Sequence, residues 1–232
     1  MPVYNNLNNH CRIFGKAKIQ TVEDTTLEAI RSLSSERELF IKERAKYKTH
    51  IKDLKGFMDE ELYKARSRRL KKQVESLSKL IKDIDQQIKT LLEANETLSE
   101  QKAILTSIDG IGEQVALHTI IATGAFTKFG SGRKFACHVG VAPFAFESGT
   151  SQKSRRKVSY RANIHLKTLF HMAALSAVKM KGEFRDYFER KVAEGKNKMT
   201  VINAVRAKLI NRIFALIRDN RKHEINYNLP LA

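Results

Sequence analysis

The residues best suited to chemistry lie between Gly140 and Asn163. A small-residue turn, Glu147-Ser148-Gly149, is followed by Lys153, Arg155, Arg156 and Lys157 with hydroxyls interleaved, then by Arg161 and Asn163. Lys and Arg at that density clamp phosphodiester oxygens, and Ser and Thr add neutral contacts. A serine hydroxyl beside such a clamp, here Ser148, can itself attack a phosphodiester if another group takes its proton and the developing charge is stabilised. On residue types alone a phosphate-binding loop is the simpler reading, because serine is a common turn and phosphate-contact residue.

A second candidate is the run Leu105–Gly112, in which Gly110 and Gly112 flank Ile111. Glycine permits positive φ and close backbone approach to a ligand, and a helix beginning after Gly112 offers unsatisfied N–H groups to an anion. The pattern resembles a helix-hairpin-helix, which grips DNA phosphates without reading sequence. A packing turn between two helices would use the same residues. The flanking Ile108, Ile111, Ala116 and Ile120 favour phosphate binding.

Other chemistries fit poorly. His118, His138, His165 and His171 form no pair at metal-ligand spacing on one helical face. Cys11 and Cys137 are the only cysteines and lie far apart, against both a disulfide framework and a zinc finger, and consistent with a reducing compartment. No metal ligands are therefore assigned. No apolar run approaches the ~18 residues of a membrane span, so the expectation is a soluble, cytoplasmic protein without a membrane partner.

The elements that must position these residues read as helical. Apolar spacing suggests a helix from about Thr26, a chain reversal near Gly56–Asp59, and a second long helix. In the latter, Leu70, Val74, Leu77, Ile81, Ile84, Ile88, Leu91, Asn95 and Leu98 alternate at spacings of four and three. β-Branched residues at a, mostly Leu at d and one Asn at a are the choices of a two-stranded coil. An antiparallel pairing with residues 27–58 of the same chain is the alternative; Asn95 favours a homodimer, or a higher oligomer, through residues 62–100. Further helices are expected over about Ile164–Met180, Glu183–Ala193 and Thr200–Arg218, with Gly195 ending the second of them.

Charge separates the chain. Lys and Arg exceed Asp and Glu by 18 over the 232 residues. Residues 1–113 carry a net +3, the mixed-charge surface of an ordinary solvated helix, whereas residues 114–232 carry +15. A domain at that charge repels itself, and a polyanion relieves the cost. DNA is the expected partner.

The order of motifs resembles the C-terminal domain of the insertion-sequence 110 family of transposases, which are similar to pilin-gene-inverting recombinases. The resemblance rests on Leu105–Gly112, Phe126–Pro143, Glu147-Ser148-Gly149, Arg161–Lys167 and a helix with Ala173-Ala174. It covers roughly residues 104–220, with the coil in the place of the family's connecting coiled coil. Asp109 stands where the family usually has Pro, and Ala162 where it usually has Gly. The resemblance implies an RNA-guided serine recombinase with Ser148 as its nucleophile and a guide RNA as a further partner. It also implies that Gly110 and Gly112 shape the hairpin, and that Lys153, Arg155, Arg156 and Arg161 contact nucleic acid. Mg²⁺ belongs to the full family enzyme, held by four acidic ligands of an N-terminal RuvC-like domain. No segment of this sequence matches that domain, so the sequence reads as a truncated or split copy, inactive alone and needing its metal from elsewhere.

The expected architecture is mainly α. It comprises a disordered leader or remnant over 1–25, a coiled coil or helical hairpin over 26–103, a DNA-binding transposase domain over 104–220 and a tail over 221–232. The expected role is DNA transposition or recombination in a prokaryotic cytoplasm, at the nucleoid when bound to DNA. A non-catalytic dimeric nucleic-acid-binding module or regulator, and a coiled-coil bridging protein, are the rivals.

Overall fold

Glu60 and Glu61 open the longest helix, and Asp59 caps it, its Oδ2 accepting from the N–H groups of Glu61 at 3.0 Å and Leu62 at 3.4 Å. In the computed structural model, which describes residues 23–142, 147–148, 152–153 and 161–224, this helix is the second of eight. The described residues are mainly α, as composition and periodicity predict. The helices are α1 (Glu23–Asp53), α2 (Glu60–Glu93), α3 (Glu96–Thr106), α4 (Glu113–Thr123), α5 (Gly132–Val139), α6 (Ile164–Ala177), α7 (Glu183–Ala193) and α8 (Lys198–Arg218). A two-residue antiparallel pair, β1 (Glu147–Ser148) with β2 (Gln152–Lys153), is the only sheet among the described residues. None of the described helices is long and apolar enough to cross a membrane.

The chain divides into two compact units, Met1–Asp85 and Gln86–Ala232. In the first, α1 and the first part of α2 form an antiparallel hairpin. Arg37 Nε donates to Asp85 Oδ1 at 2.6 Å, Arg44 Nη1 to Ser78 Oγ at 3.3 Å, and Arg66 Nη2 meets His50 Nε2 at 3.0 Å. The partners run in opposite order along the two helices. The reversal falls at Gly56, whose φ of +91° lies in the left-handed region that favours glycine. Ile81 and Ile84 are buried, and Leu70, Val74 and Leu77 are half-buried.

Asn95 departs from the seam. The chain breaks after Glu93, and Asn95 is the N-cap of α3, its Oδ1 accepting from Leu98 N at 3.1 Å. An asparagine that caps a new helix satisfies an orphan donor and specifies no partner strand. Asn95 therefore gives no reason for a dimer, and the pairing seen within the chain is the antiparallel one.

The second unit is built on α8. Val201, Ile202, Val205, Leu209, Ile210, Ile213 and Leu216 are all buried on it, and α3, α5, α6 and α7 each pack against it. In α4, Thr119 and Thr123 are fully buried but satisfied, their hydroxyls donating to the carbonyls of Val115 (2.6 Å) and Thr119 (2.8 Å). After α8 the chain turns back, and His223 N donates to Ser107 Oγ at 2.8 Å.

Candidate nucleic-acid interface

α5 is short and owes its position to one face. Phe135, Ala136 and Val139 are buried on it, at the i, i+1, i+4 spacing of a helical stripe. Phe135 is fully buried amid Phe129 (ring centroids 5.2 Å apart), Phe170 (6.1 Å) and Phe214 (5.6 Å). Burying a phenylalanine contributes about 2–3 kcal/mol, and the edge-to-face contacts add to it. Ser131 caps the helix, accepting from Lys134 N at 3.4 Å. With that face fixed inward, Arg133, Lys134 and His138 are exposed.

The segment that carries Ser148 leaves and returns at this helix. On the way out, Val141 N donates to Ala136 O at 2.9 Å, and Asn203 Nδ2 from α8 donates to Val141 O at 3.2 Å. On the way back, Asn163 N donates to His138 O at 2.9 Å. Asn163 then caps α6, its Oδ1 accepting from Leu166 N at 3.0 Å. Arg161 is thereby placed beside Arg133 and Lys134. Together with Ser131, Cys137, His138 and Ala162, these three cations line an open cleft of about 620 Å³. Among the described residues the cleft holds no carboxylate, and the field of its cations attracts an anion. Phe129 and Phe135 cover part of the His138 ring at 5.3 and 6.1 Å, and this desolvation lowers the imidazole below its ordinary pKa. The neutral ring offers one nitrogen as a proton acceptor.

The sequence-read residues fall out unevenly. The backbone of Ser148 pairs with Gln152 and that of Glu147 with Lys153 in the β1–β2 ladder, whereas their side chains, and the whole of Arg155, Arg156 and Lys157, lie outside the described residues. Arg161 joins the cleft. Asn163 acts visibly as a cap. The two glycines differ: Gly110, at φ +87°, presses against α6, where a Cβ would lie 2.5 Å from Ala173 O and 2.7 Å from Ala177 Cβ, so packing demands it. Gly112 begins α4 with open space around it and no side-chain cap, and its neighbour Glu113 pairs with Lys102 at 3.3 Å.

Arg133, Lys134 and His138 are the functional candidates that spacing does not single out. Their signal is a basic pair directly after a Ser-Gly helix start, a pattern too common to stand out without knowing where Arg161 returns. Spacing along one helix also does not show that His118 and His165, from α4 and α6, bring their ring centroids to 4.5 Å. Sequence spacing excludes only pairs on one helix. Among the described residues no three carboxylates place their oxygens within 4.8 Å of one another, so the four-acid set that the resemblance implies for Mg²⁺ is not among them.

Among the described residues the cleft on α5 is walled by guanidinium and ammonium groups and by no carboxylate. Residues 102–189 match the family model described as Transposase IS116/IS110/IS902 family. The pilin gene-inverting protein of Moraxella bovis is 29% identical over 142 residues, which are 61% of this chain and 44% of that protein. An uncharacterized insertion element IS116 protein of Streptomyces clavuligerus is 27% identical over 153 residues, 64% of this chain and 36% of its own. An insertion element IS110 protein of Streptomyces coelicolor is 28% identical over 141 residues, 61% and 34%. The matched stretch thus spans less than half the length of these relatives.

Proposed function

We propose that this chain is the DNA-handling part of a transposition or recombination enzyme, with Ser148 as the nucleophile of strand exchange. The cleft of Arg133, Lys134 and Arg161 holds a phosphodiester, assisted by Lys153, Arg155, Arg156 and Lys157 and by the free N–H groups after Gly112. The Ser148 hydroxyl attacks phosphorus as the bond to the sugar oxygen breaks. The serine proton passes to a base, and the released sugar oxygen takes one up. The observation that carries this reading is that both ends of the Ser148 segment are fastened to α5 at the mouth of the cationic cleft. The match to a transposase family and to a gene-inverting protein supports it. A guide RNA is the further partner the resemblance implies, and Mg²⁺ the cofactor, held by the acidic ligands of a RuvC-like domain of the family.

A non-catalytic nucleic-acid-binding module is the second reading, favoured by the absence of a carboxylate trio among the described residues. One experiment separates the two. The chain is mixed with a RuvC-like domain of the family, Mg²⁺, guide RNA and a labelled DNA, and denaturing gels are searched for a protein–DNA adduct. An adduct lost in Ser148→Ala supports the catalytic reading. No adduct with any pairing of domain and DNA leaves the binding reading alone.

A further inference from the structure

The net charge of the first 113 residues conceals a separation along the helical hairpin. Residues 42–72, which are the turn and the parts of α1 and α2 that flank it, hold twelve Lys and Arg against five acidic residues. The other end of the hairpin, residues 23–41 and 73–85, holds four against eight. The hairpin is therefore cationic at its tip and anionic at its base. Mixed charge on a solvated helix has no reason to sort this way.

The tip cations are also available. Lys48, Lys52, Lys55, Arg68, Arg69 and Lys72 are exposed, and none has an ion pair among the described residues. The five acids do little to neutralise them, since Glu43 is taken by Lys46 at 2.5 Å and Glu60 by Lys64 at 2.9 Å. Arg68 and Lys72 fall four residues apart, in one row on the outward face of α2, at about 5–6 Å per step. Each basic stretch runs for about 20 Å of helix. Several consecutive phosphates, at roughly 3.4 Å of strand each, fit along it.

An aromatic ring stands at the apex. The left-handed Gly56 turns the chain, and Phe57 N donates to Leu54 O at 3.3 Å, leaving the Phe57 ring 88% exposed. An exposed phenylalanine between two rows of cations has the form of a stacking platform for an unpaired base. We infer that the hairpin tip is a second nucleic-acid-binding surface, separate from the α5 cleft. It takes a single strand by its phosphates and one base by Phe57. RNA and single-stranded DNA share this chemistry.

The test uses the full chain and fluorescence anisotropy across a salt series, with a 20-nucleotide oligo-U and a 20-nucleotide oligo-dT as probes. Replacing Arg68, Arg69, Lys71 and Lys72 by Gln should weaken binding at least about tenfold and reduce the salt slope by roughly 0.7 for each phosphate left unneutralised. Replacing the same positions by Lys or Arg in exchange should preserve both. Phe57→Ala should cost about tenfold on single strands and nothing on a blunt duplex. Both effects should persist in the Arg133→Gln, Arg161→Gln background, which separates this surface from the cleft. The probe bound more tightly names the source of the strand. Unchanged affinity and slope in the Gln variant, at wild-type helicity by circular dichroism, would overturn the inference, as would an equal Phe57→Ala loss on duplex and single strand.

Discussion

A methyl group added at Gly110 would meet the backbone of α6 at 2.5 Å, whereas one added at Gly112 would meet nothing within 4 Å. Gly110→Ala should therefore destabilise by about 2–4 kcal/mol, combining a left-handed φ with overpacking against backbone. Gly112→Ala should cost under about 1 kcal/mol. Urea denaturation of the two variants checks the contrast, and equal losses would contradict it. His223 gives a pH-dependent case. Its backbone N–H reaches Ser107, and its Nε2 lies 3.1 Å from Arg212 Nη1, an arrangement that suits a neutral ring accepting from the guanidinium. Burial first, then the Arg212 charge, lowers its pKa. A histidine with a depressed folded-state pKa binds its proton less readily than the unfolded chain does. Its stabilising contribution is thus complete above the ordinary pKa of about 6.5 and is lost as pH falls through the lower folded value. His138 acts in the same direction. Thermal melts from pH 8 to pH 5 should show a falling Tm that His223→Gln makes shallower. An identical slope in the variant would refute this. The sequence identifies the glycines but not their division of labour, because only α6, some sixty residues on, reveals which of them is crowded.

At the scale of elements, α5 rests on Phe135, which is completely buried among three other phenylalanines. Phe135→Ala should cost about 3–5 kcal/mol. Because α5 holds both ends of the Ser148 segment, that variant should lose nucleic-acid affinity at temperatures where α8 is still folded, as amide exchange would report. The break at Ala94–Asn95 is a cap, so Asn95→Ala should cost about 1 kcal/mol. Asn95→Ile should leave the sedimentation coefficient unchanged. A shift in association state with Asn95→Ile would restore the coil between copies. Helix positions are legible in the sequence because apolar spacing carries them: the reversal near Gly56 and the helices over 164–177, 183–193 and 198–218 lie close to where periodicity puts them. The four-three seam holds as a pattern up to Leu91. It overreaches at Asn95 because Asn at position a and Asn as an N-cap look the same in one dimension. Only the hydrogen bond to Leu98 N distinguishes them.

For the molecule as a whole, charge is the most legible property and also the most coarsely resolved. The +15 of residues 114–232 points to a polyanion, and the cleft on α5, lined by Arg133, Lys134 and Arg161, gives part of that charge a location. The near-neutral first half looks like inert surface in the sequence, since a net count over 113 residues averages a cationic tip against an anionic base. Topology, which folds residues 42–55 back on 60–72, is what makes the separation visible. The cleft itself is half-legible: Arg161 comes from the basic run, but Arg133 and Lys134 join it only through the bond from Asn163 N to His138 O. Under the proposed function, phosphate neutralisation by this cleft holds the protein on DNA. The most direct measurement is the salt dependence of the affinity of the full chain for a duplex, compared with Arg133→Gln, Lys134→Gln and Arg161→Gln combined. Leaving three phosphates without their cations should weaken binding at ~0.1 M salt by tenfold or more and flatten the log–log slope by nearly 3. A wild-type slope near zero, or a triple variant indistinguishable from the parent, would rule out the cleft as the site that holds DNA.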